Sequence, residues 1–258
     1  MFERAIELDA RYGPAYAGLA AVHATLYEWY GGKENDLLLA ESASQKALQL
    51  APSLVDAHVS HGFALSLRRR YDDGARAFED AIRINSNFFD AYYYFARSRF
   101  AHGDIERSAE LFRKAADVRH EDFQSPMLLS QSLRMLGRTK ESAAAGKEGI
   151  RRAEAALVLN PVDGRALSLG SGALFHDGQK ARALEWSQRS LELYPDDMGA
   201  LVNAACLRCK LALKEEALQL LERVFARGWG KRDWIDHDPD YNILRDDPRF
   251  KKLLANLK

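Results

Sequence analysis

Ala47, Ala81 and Ala115 stand 34 residues apart, each inside a similar run: QKALQLAP, EDAIRINS and RKAADVRH. A fixed period of this size constrains the fold more than any other feature, because so short a unit buries its apolar face only against the next copy. Phe78 and Phe112 keep the interval, and so do the turn glycines Gly103 and Gly137. Segment ends at Pro52, Ser86, His120, Pro161 and Pro195 are spaced 34, 34, 41 and 34, so one unit is seven residues longer than the others.

Within each period the apolar residues recur at helical spacing and break once near a glycine or a polar turn, as in DAYYYFARSRFAHGDIERSAELFRKAADV. This predicts two helices per unit. Small residues fall where those helices would cross: Gly62, Ala96, Ser130 and Ser171 on the first, Gly74, Ser108, Ser142 and Ala183 on the second. Alternating β-branched runs and Asn-Gly hairpin turns are absent, so the expected class is all-α.

The period of 34, a small residue early in the first helix, a G-x-x-x-x-[AS] turn, an aromatic and Ala in the second helix and a closing L-x-L-x-P together resemble the tetratricopeptide repeat, over residues 2 to about 228. Some letters depart from the family: His58, Pro126 and Leu167 stand where it often has Trp, and His61 where it often has Leu. The resemblance implies a right-handed superhelical solenoid. It divides the chain into a partial repeat at 1–10, repeats at about 11–54, 55–88, 89–122, 123–163, 164–197 and 198–228, and a C-terminal capping segment at 229–258.

Both ends differ from the ideal. Phe2, Ala5 and Ala10 align with Phe78, Ala81 and Ser86, so the chain opens inside a second helix whose first helix is missing, as expected for a piece of a longer protein. After Gly228, the residues Trp229, Trp234, Ile235, Leu244, Phe250, Leu253 and Leu254 are suited to cover the last repeat, and Asp247-Pro248 is a helix start with an N-cap carboxylate. Two further departures are an inserted loop, EWYGGKEN, in the first full repeat and a second helix lengthened by seven residues in the fourth, about two turns. With the segment HDPDYNILRDDPRF, they resemble the C-terminal repeat region of multidomain bacterial signalling proteins, behind a cyclase, kinase or DNA-binding domain. That resemblance implies a regulatory module. No signature motif of those upstream domains is present.

Composition narrows the partners. With 37 Lys+Arg against 37 Asp+Glu there is no overall field to attract nucleic acid or an anionic membrane. No segment approaches the roughly 20 apolar residues of a membrane span, and Glu3, Arg4, Glu7 and Asp9 interrupt any secretory leader. Cys206 and Cys209 are the only cysteines, too few for a disulfide framework, so a cytoplasmic setting is expected.

Three short motifs invite chemistry. Cys206 and Cys209 have C-x-x-C spacing but sit within an expected helix with no second pair, and read as small packing residues. His58 and His61 lie one turn apart without further ligands. Asp236, Asp238, Asp240, Asn242 and Asp247 imitate a calcium loop, yet Tyr241 stands where that loop needs Gly. No P-loop, nucleophile elbow or zinc-hydrolase motif occurs. The expectation is a non-enzyme with no metal and no cofactor.

What remains is a groove. In the family the first helix of each repeat lines the concave side, and that register selects Asp90, Tyr93, Tyr94, Arg97 and Phe100, then Gln124, Gln131 and Arg134, then Arg165, Phe175 and His176, and finally Asn203 and Lys210. Tyr and Arg dominate binding energy when a partner buries them. Tyr93 and Tyr94 are open to two readings, groove contacts or packing on neighbouring helices, since exposed aromatics carry meaning only as a contiguous patch. A clamp for acidic chaperone tails is not supported, because its Lys and Asn positions hold Val59 and Phe63, then Tyr93 and Arg97. The expected function is therefore a scaffold binding a peptide or protein segment in that groove. The alternative is self-association through the N-terminal half repeat.

Overall fold

The structure is a computed structural model that describes residues 1–30, 32–227, 235 and 239–255. The chain forms two compact units, Met1–Ala145 and Gly146–Lys258.

The first unit contains α1 (Phe2–Leu8), α2 (Gly13–Trp29), α3 (Glu34–Leu50), α4 (Val55–Leu67), α5 (Tyr71–Ile84), α6 (Phe89–His102), α7 (Ile105–Val118), α8 (Gln124–Met135) and the start of α9 (Thr139–Leu159). The second holds the rest of α9, then α10 (Gly164–His176), α11 (Lys180–Leu193), α12 (Met198–Lys210), α13 (Lys214–Ala226), a 3-10 turn η1 (Pro239–Leu244) and α14 (Pro248–Ala255). Among the described residues every regular element is helical. In each unit the first helices of successive pairs pack on one another, α2 on α4 and α4 on α6, and α10 on α12, while each also packs on its own second helix. The lengthened second helix is α9, 21 residues where α5, α7 and α11 have 14.

The small residues do what their spacing predicts. A Cβ on Gly62 would come within 2.9 Å of the Phe78 ring, and one on Gly74 within 2.9 Å of the Gly62 carbonyl, so α4 and α5 approach at a distance only glycine permits. Two repeats on from each of these, hydroxyls carry polar groups into the crossing. Ser130 and Ser142 each donate to the other's backbone carbonyl at 2.8 Å, which satisfies both in a buried place.

The turn inside each pair is equally regular. Arg69, Gly103, Gly137, Gly178 and Ala212 all have positive φ, at the same point of successive repeats. The following residue closes each turn by a backbone bond to the carbonyl five residues back, such as Asp104 to Arg99 and Arg70 to Leu65, each at 2.9 Å. Two of the five positions lack glycine, and a left-handed non-glycine residue is strained by about 1–2 kcal/mol. Arg69→Gly and Ala212→Gly are each expected to raise stability by about 1 kcal/mol in urea unfolding. An unchanged midpoint would show that neighbouring contacts hold those backbones without strain.

Residues at the repeat junctions are anchored alike. Tyr16, His58 and Tyr92 each reach the carbonyl six residues earlier, of Ala10, Pro52 and Ser86. Of the covering residues named from the sequence, Ile235, Leu244, Phe250 and Leu254 are buried against α12 and α13, with Leu253 packed beside them; Trp229 and Trp234 lie outside the described residues. Asp247 accepts from the backbone of Arg249 and Phe250 and so caps α14.

The inserted loop is corrected by the structure. α2 runs on through Trp29 and α3 begins at Glu34, so half of EWYGGKEN is helical, namely Glu28, Trp29, Glu34 and Asn35; Gly31 lies outside the described residues. Gly32 donates back to the Leu26 carbonyl at 3.0 Å, and a Cβ there would collide with the Tyr27 backbone at 2.4 Å.

Candidate peptide-binding face

The register residues separate into two sets, one in each unit. In the first unit a chain of contacts crosses four successive first helices. Phe63 on α4 meets Tyr94 on α6 with ring centroids 4.6 Å apart, Tyr94 meets Tyr93 edge-on at 5.4 Å, and the Tyr93 hydroxyl donates to Gln124 Oε1 on α8 at 3.2 Å. On the other side the Arg97 guanidinium donates to Glu28 Oε1 on α2 at 2.6 Å and lies over the Trp29 ring at 4.8 Å. Arg97 Nη1 also reaches the Tyr93 hydroxyl at 3.5 Å. The patch is thus contiguous and mixes aromatic faces with one cation.

Its members differ in what they offer a partner. Tyr93 is only 7 % exposed and its ring packs in the core with Phe89 and Phe112, so the packing reading holds for the ring. Val59 and Phe63 are buried as well, while Tyr94, Arg97 and Phe100 are half-buried and Gln131 and Arg134 are exposed. Gln131 and Arg134 stand one repeat on from Arg97 and Phe100, at the same points of the register.

Burial, aided by the nearby Asp90 charge, pushes the Tyr94 hydroxyl up to about 12, so it is a neutral donor throughout the working pH range. Asp90 is itself raised by burial. For Arg97, burial acts to lower the guanidinium, yet the Glu28 carboxylate and the Tyr93 hydroxyl outweigh it and hold the group firmly charged.

In the second unit the selected residues are engaged within the fold. Asn203 donates to Ser168 Oγ at 2.9 Å, Lys210 pairs with Asp240 at 2.5 Å, and Phe175 meets His176 edge-on at 5.3 Å. Arg165 Nη1 lies close to the backbone at Gly199. The second unit's set is thus tied into α10, α12 and η1.

The motifs that invited chemistry are placed as follows. Cys209 is buried, and Cys206 Sγ lies 3.3 Å from the Tyr241 hydroxyl. Asp240 faces Lys210 and Asn242 faces Arg245; Asp236 and Asp238 of the calcium-like run lie outside the described residues. His58 is the junction anchor described above. His61 is half-buried with Nδ1 3.0 Å from Ser44 Oγ, and burial lowers its pKa, outweighing the nearby Glu41 carboxylate, with Arg70 and His58 lowering it further and Asp73 opposing them.

That shift predicts a pH dependence. With the folded pKa below the unfolded value of about 6.5, unfolding takes up a proton, so the stability held above that value is lost as pH falls through it toward the folded pKa. Wild-type melting temperature should drop between pH 7.5 and 5.5, and His61→Leu should flatten that slope. Identical slopes for the two proteins would refute the assignment.

Two features of this region were missed by sequence reasoning. One is the pair Glu28 and Trp29, absorbed into a supposed loop. The other is Val158 and Leu159 at the end of α9, which are 81 % and 88 % exposed and give that helix an open apolar tip. A seven-residue extension beyond the register was the available signal for it.

No protein-family model matches the chain, and no curated protein matches it. Solved structures do. A chain of the Cut9–Hcn1 hetero-tetramer of the APC/C superposes with a TM-score of 0.64 at 15% identity, covering 100% of this chain and 52% of that one. A chain of the human IFIT1 dimer with PPP-AAAA does so with 0.57 at 14% identity, covering 87% and 67%. YrrB, described as a TPR protein with an unusual peptide-binding site, aligns with 0.46 at 19% identity over 78% and 96%. At these identities the likeness is one of fold. The chain is all-α with helices in consecutive pairs, a tetratricopeptide-like repeat fold. No helix among the described residues is long and apolar enough to cross a membrane.

Proposed function

We propose that the chain is a binding scaffold whose face of first helices in the first unit holds an extended peptide or protein segment. The observation that supports this reading is the unbroken line of contacts from Trp29 and Glu28 through Arg97 and Tyr93 to Gln124, with Tyr94 and Phe63 joined to it at Tyr93, which spreads aromatic and hydrogen-bonding groups over four helices. A surface built this way offers anchors for aromatic contact and a charged group for orientation, the combination that concentrates binding energy. The insertion and the lengthened helix favour, by their resemblance, a regulatory module within a larger signalling protein.

The test is selection from a random displayed peptide library against the whole chain, followed by titration of selected peptides into Tyr94→Ala and Arg97→Met. Affinity should fall at least about tenfold in each, by the usual cost of losing an interface anchor, with far-UV circular dichroism unchanged. Tyr93 is unsuited to this purpose, because truncating its buried ring would unsettle the core. Peptides that bind both variants as tightly as wild type would move the site elsewhere. The competing reading, self-association, draws on Leu8 of α1 at 74 % exposed and on the α9 tip. Sedimentation over a hundredfold concentration range, with Leu8→Lys and Val158→Lys, decides it.

A further inference from the structure

The insertion in the first full repeat lays two of the chain's own residues on the proposed binding face. α2 has 17 residues where α4 and α6 have 13 and 14, and its added turn carries Glu28 and Trp29. From that turn they cross over α4 to grip Arg97 on α6, 69 positions later in the sequence. Glu28 and Arg97 keep 23 % and 19 % of their side-chain surface open to water, so a competitor can reach both.

The grip is incomplete. Arg97 Nε and Glu28 Oε2 are both buried with no hydrogen-bond partner in the protein, so a guanidinium shaped to take a carboxylate at two points holds this one at one. Each unmet polar atom is a standing cost that a better-aligned carboxylate would remove. A carboxylate on an extended peptide is free to approach in the plane of the guanidinium, whereas Glu28 is fixed by the end of α2. Trp29, stacked on the cation, marks where an aromatic neighbour of that carboxylate would sit.

Resting on the groove reading above, we propose that Glu28 and Trp29 are a built-in competitor for Arg97, and that the partner of this face is a peptide segment presenting an acidic residue beside an aromatic one. Binding then swaps one acidic-aromatic pair for another and frees the end of α2. The affinity of such a segment is reduced by the fraction of molecules in which the internal pair is seated.

The probe is the chain's own sequence supplied in trans, the labelled peptide LYEWY of residues 26–30, titrated by fluorescence anisotropy. Glu28→Gln/Trp29→Ala should bind it about tenfold more tightly than wild type, as expected when a seated internal ligand is removed. LYQWY should bind that variant about tenfold more weakly than LYEWY, the loss expected when a charged hydrogen-bond partner is replaced, and adding Arg97→Met should erase the difference. Equal affinity of wild type and double variant, or no preference for Glu over Gln, overturns the proposal. Should the double variant fail to fold, wild type labelled with 5-fluorotryptophan answers the same question. LYEFY should shift the Trp29 resonance, assigned from Trp29→Phe, and bound peptide that leaves it unmoved, or no binding at all, overturns the proposal. Library peptides that depend on Tyr94 but show no acidic-aromatic preference would leave the groove reading intact and remove this one alone.

Discussion

Phe78→Ala is expected to cost about 3–5 kcal/mol, the range for deleting a fully buried aromatic ring. The ring has no exposed surface, stacks on Phe95 of α6 with centroids 5.4 Å apart, and fills the space left by Gly62 of α4. Gly62→Ala alone should also destabilise, by about 1–3 kcal/mol, because its new methyl meets Phe78 at 2.9 Å in an already packed crossing. In the Phe78→Ala background the same substitution should change sign. With the ring gone the methyl has room, and Ala is favoured over Gly in a helix interior by about 0.5–1 kcal/mol. Urea unfolding of the four proteins in this cycle measures the coupling. A Gly62→Ala effect that is the same in both backgrounds would mean that the close approach of α4 and α5 is not set by this contact.

That pair also shows why the fold was legible. Gly62 is followed at 34-residue intervals by the small Ala96 and Ser130, and Phe78 by Phe112, and a period is a statement about packing, since only a residue buried against the neighbouring copy is held to it. The register carried the helix pairs, the small crossing residues and the added length of α9. It also contained the two strained turns, because Arg69 lies 34 before Gly103 and Ala212 lies 34 after Gly178, but a reader who looks for glycine passes over both.

The candidate face was less legible for two physical reasons. A period fixes which side of a helix a residue occupies, not how deeply its neighbours cover it; Tyr93 was selected for the groove, but its ring is sealed by Phe89 and Phe112. A period is also silent where it is broken. EWYGGKEN read as an inserted loop from Glu28 on, whereas the helix continues to Trp29 before Gly32 turns back on the Leu26 carbonyl. Arg97 was selected from its position in the repeat, yet nothing local could reveal that its partner is Glu28.

The same lesson gives the second large effect. Tyr241 entered the sequence reading as the residue that spoiled a calcium loop, and it is instead the largest fully buried side chain among the described residues. It stacks on Phe250 with centroids 6.0 Å apart and joins Ile235, Leu244 and Leu254 in covering Leu218, Leu221 and Val224 of α13. Tyr241→Ala should therefore cost about 3–5 kcal/mol and expose an apolar face that binds a hydrophobic dye and promotes association. Tyr241→Phe should cost far less, about 0.5–1.5 kcal/mol, the range for hydrogen bonding by a hydroxyl that lies 3.3 Å from Cys206 Sγ. The contrast between the two variants separates ring from hydroxyl. If Tyr241→Phe proves as damaging as Tyr241→Ala, the segment is held by its polar contacts, and Tyr241, between Asp240 on Lys210 and Asn242 on Arg245, would have to be reread as part of a polar latch. If only the loss of the ring is costly, Pro239–Leu244 is held on α12 and α13 as an apolar lid.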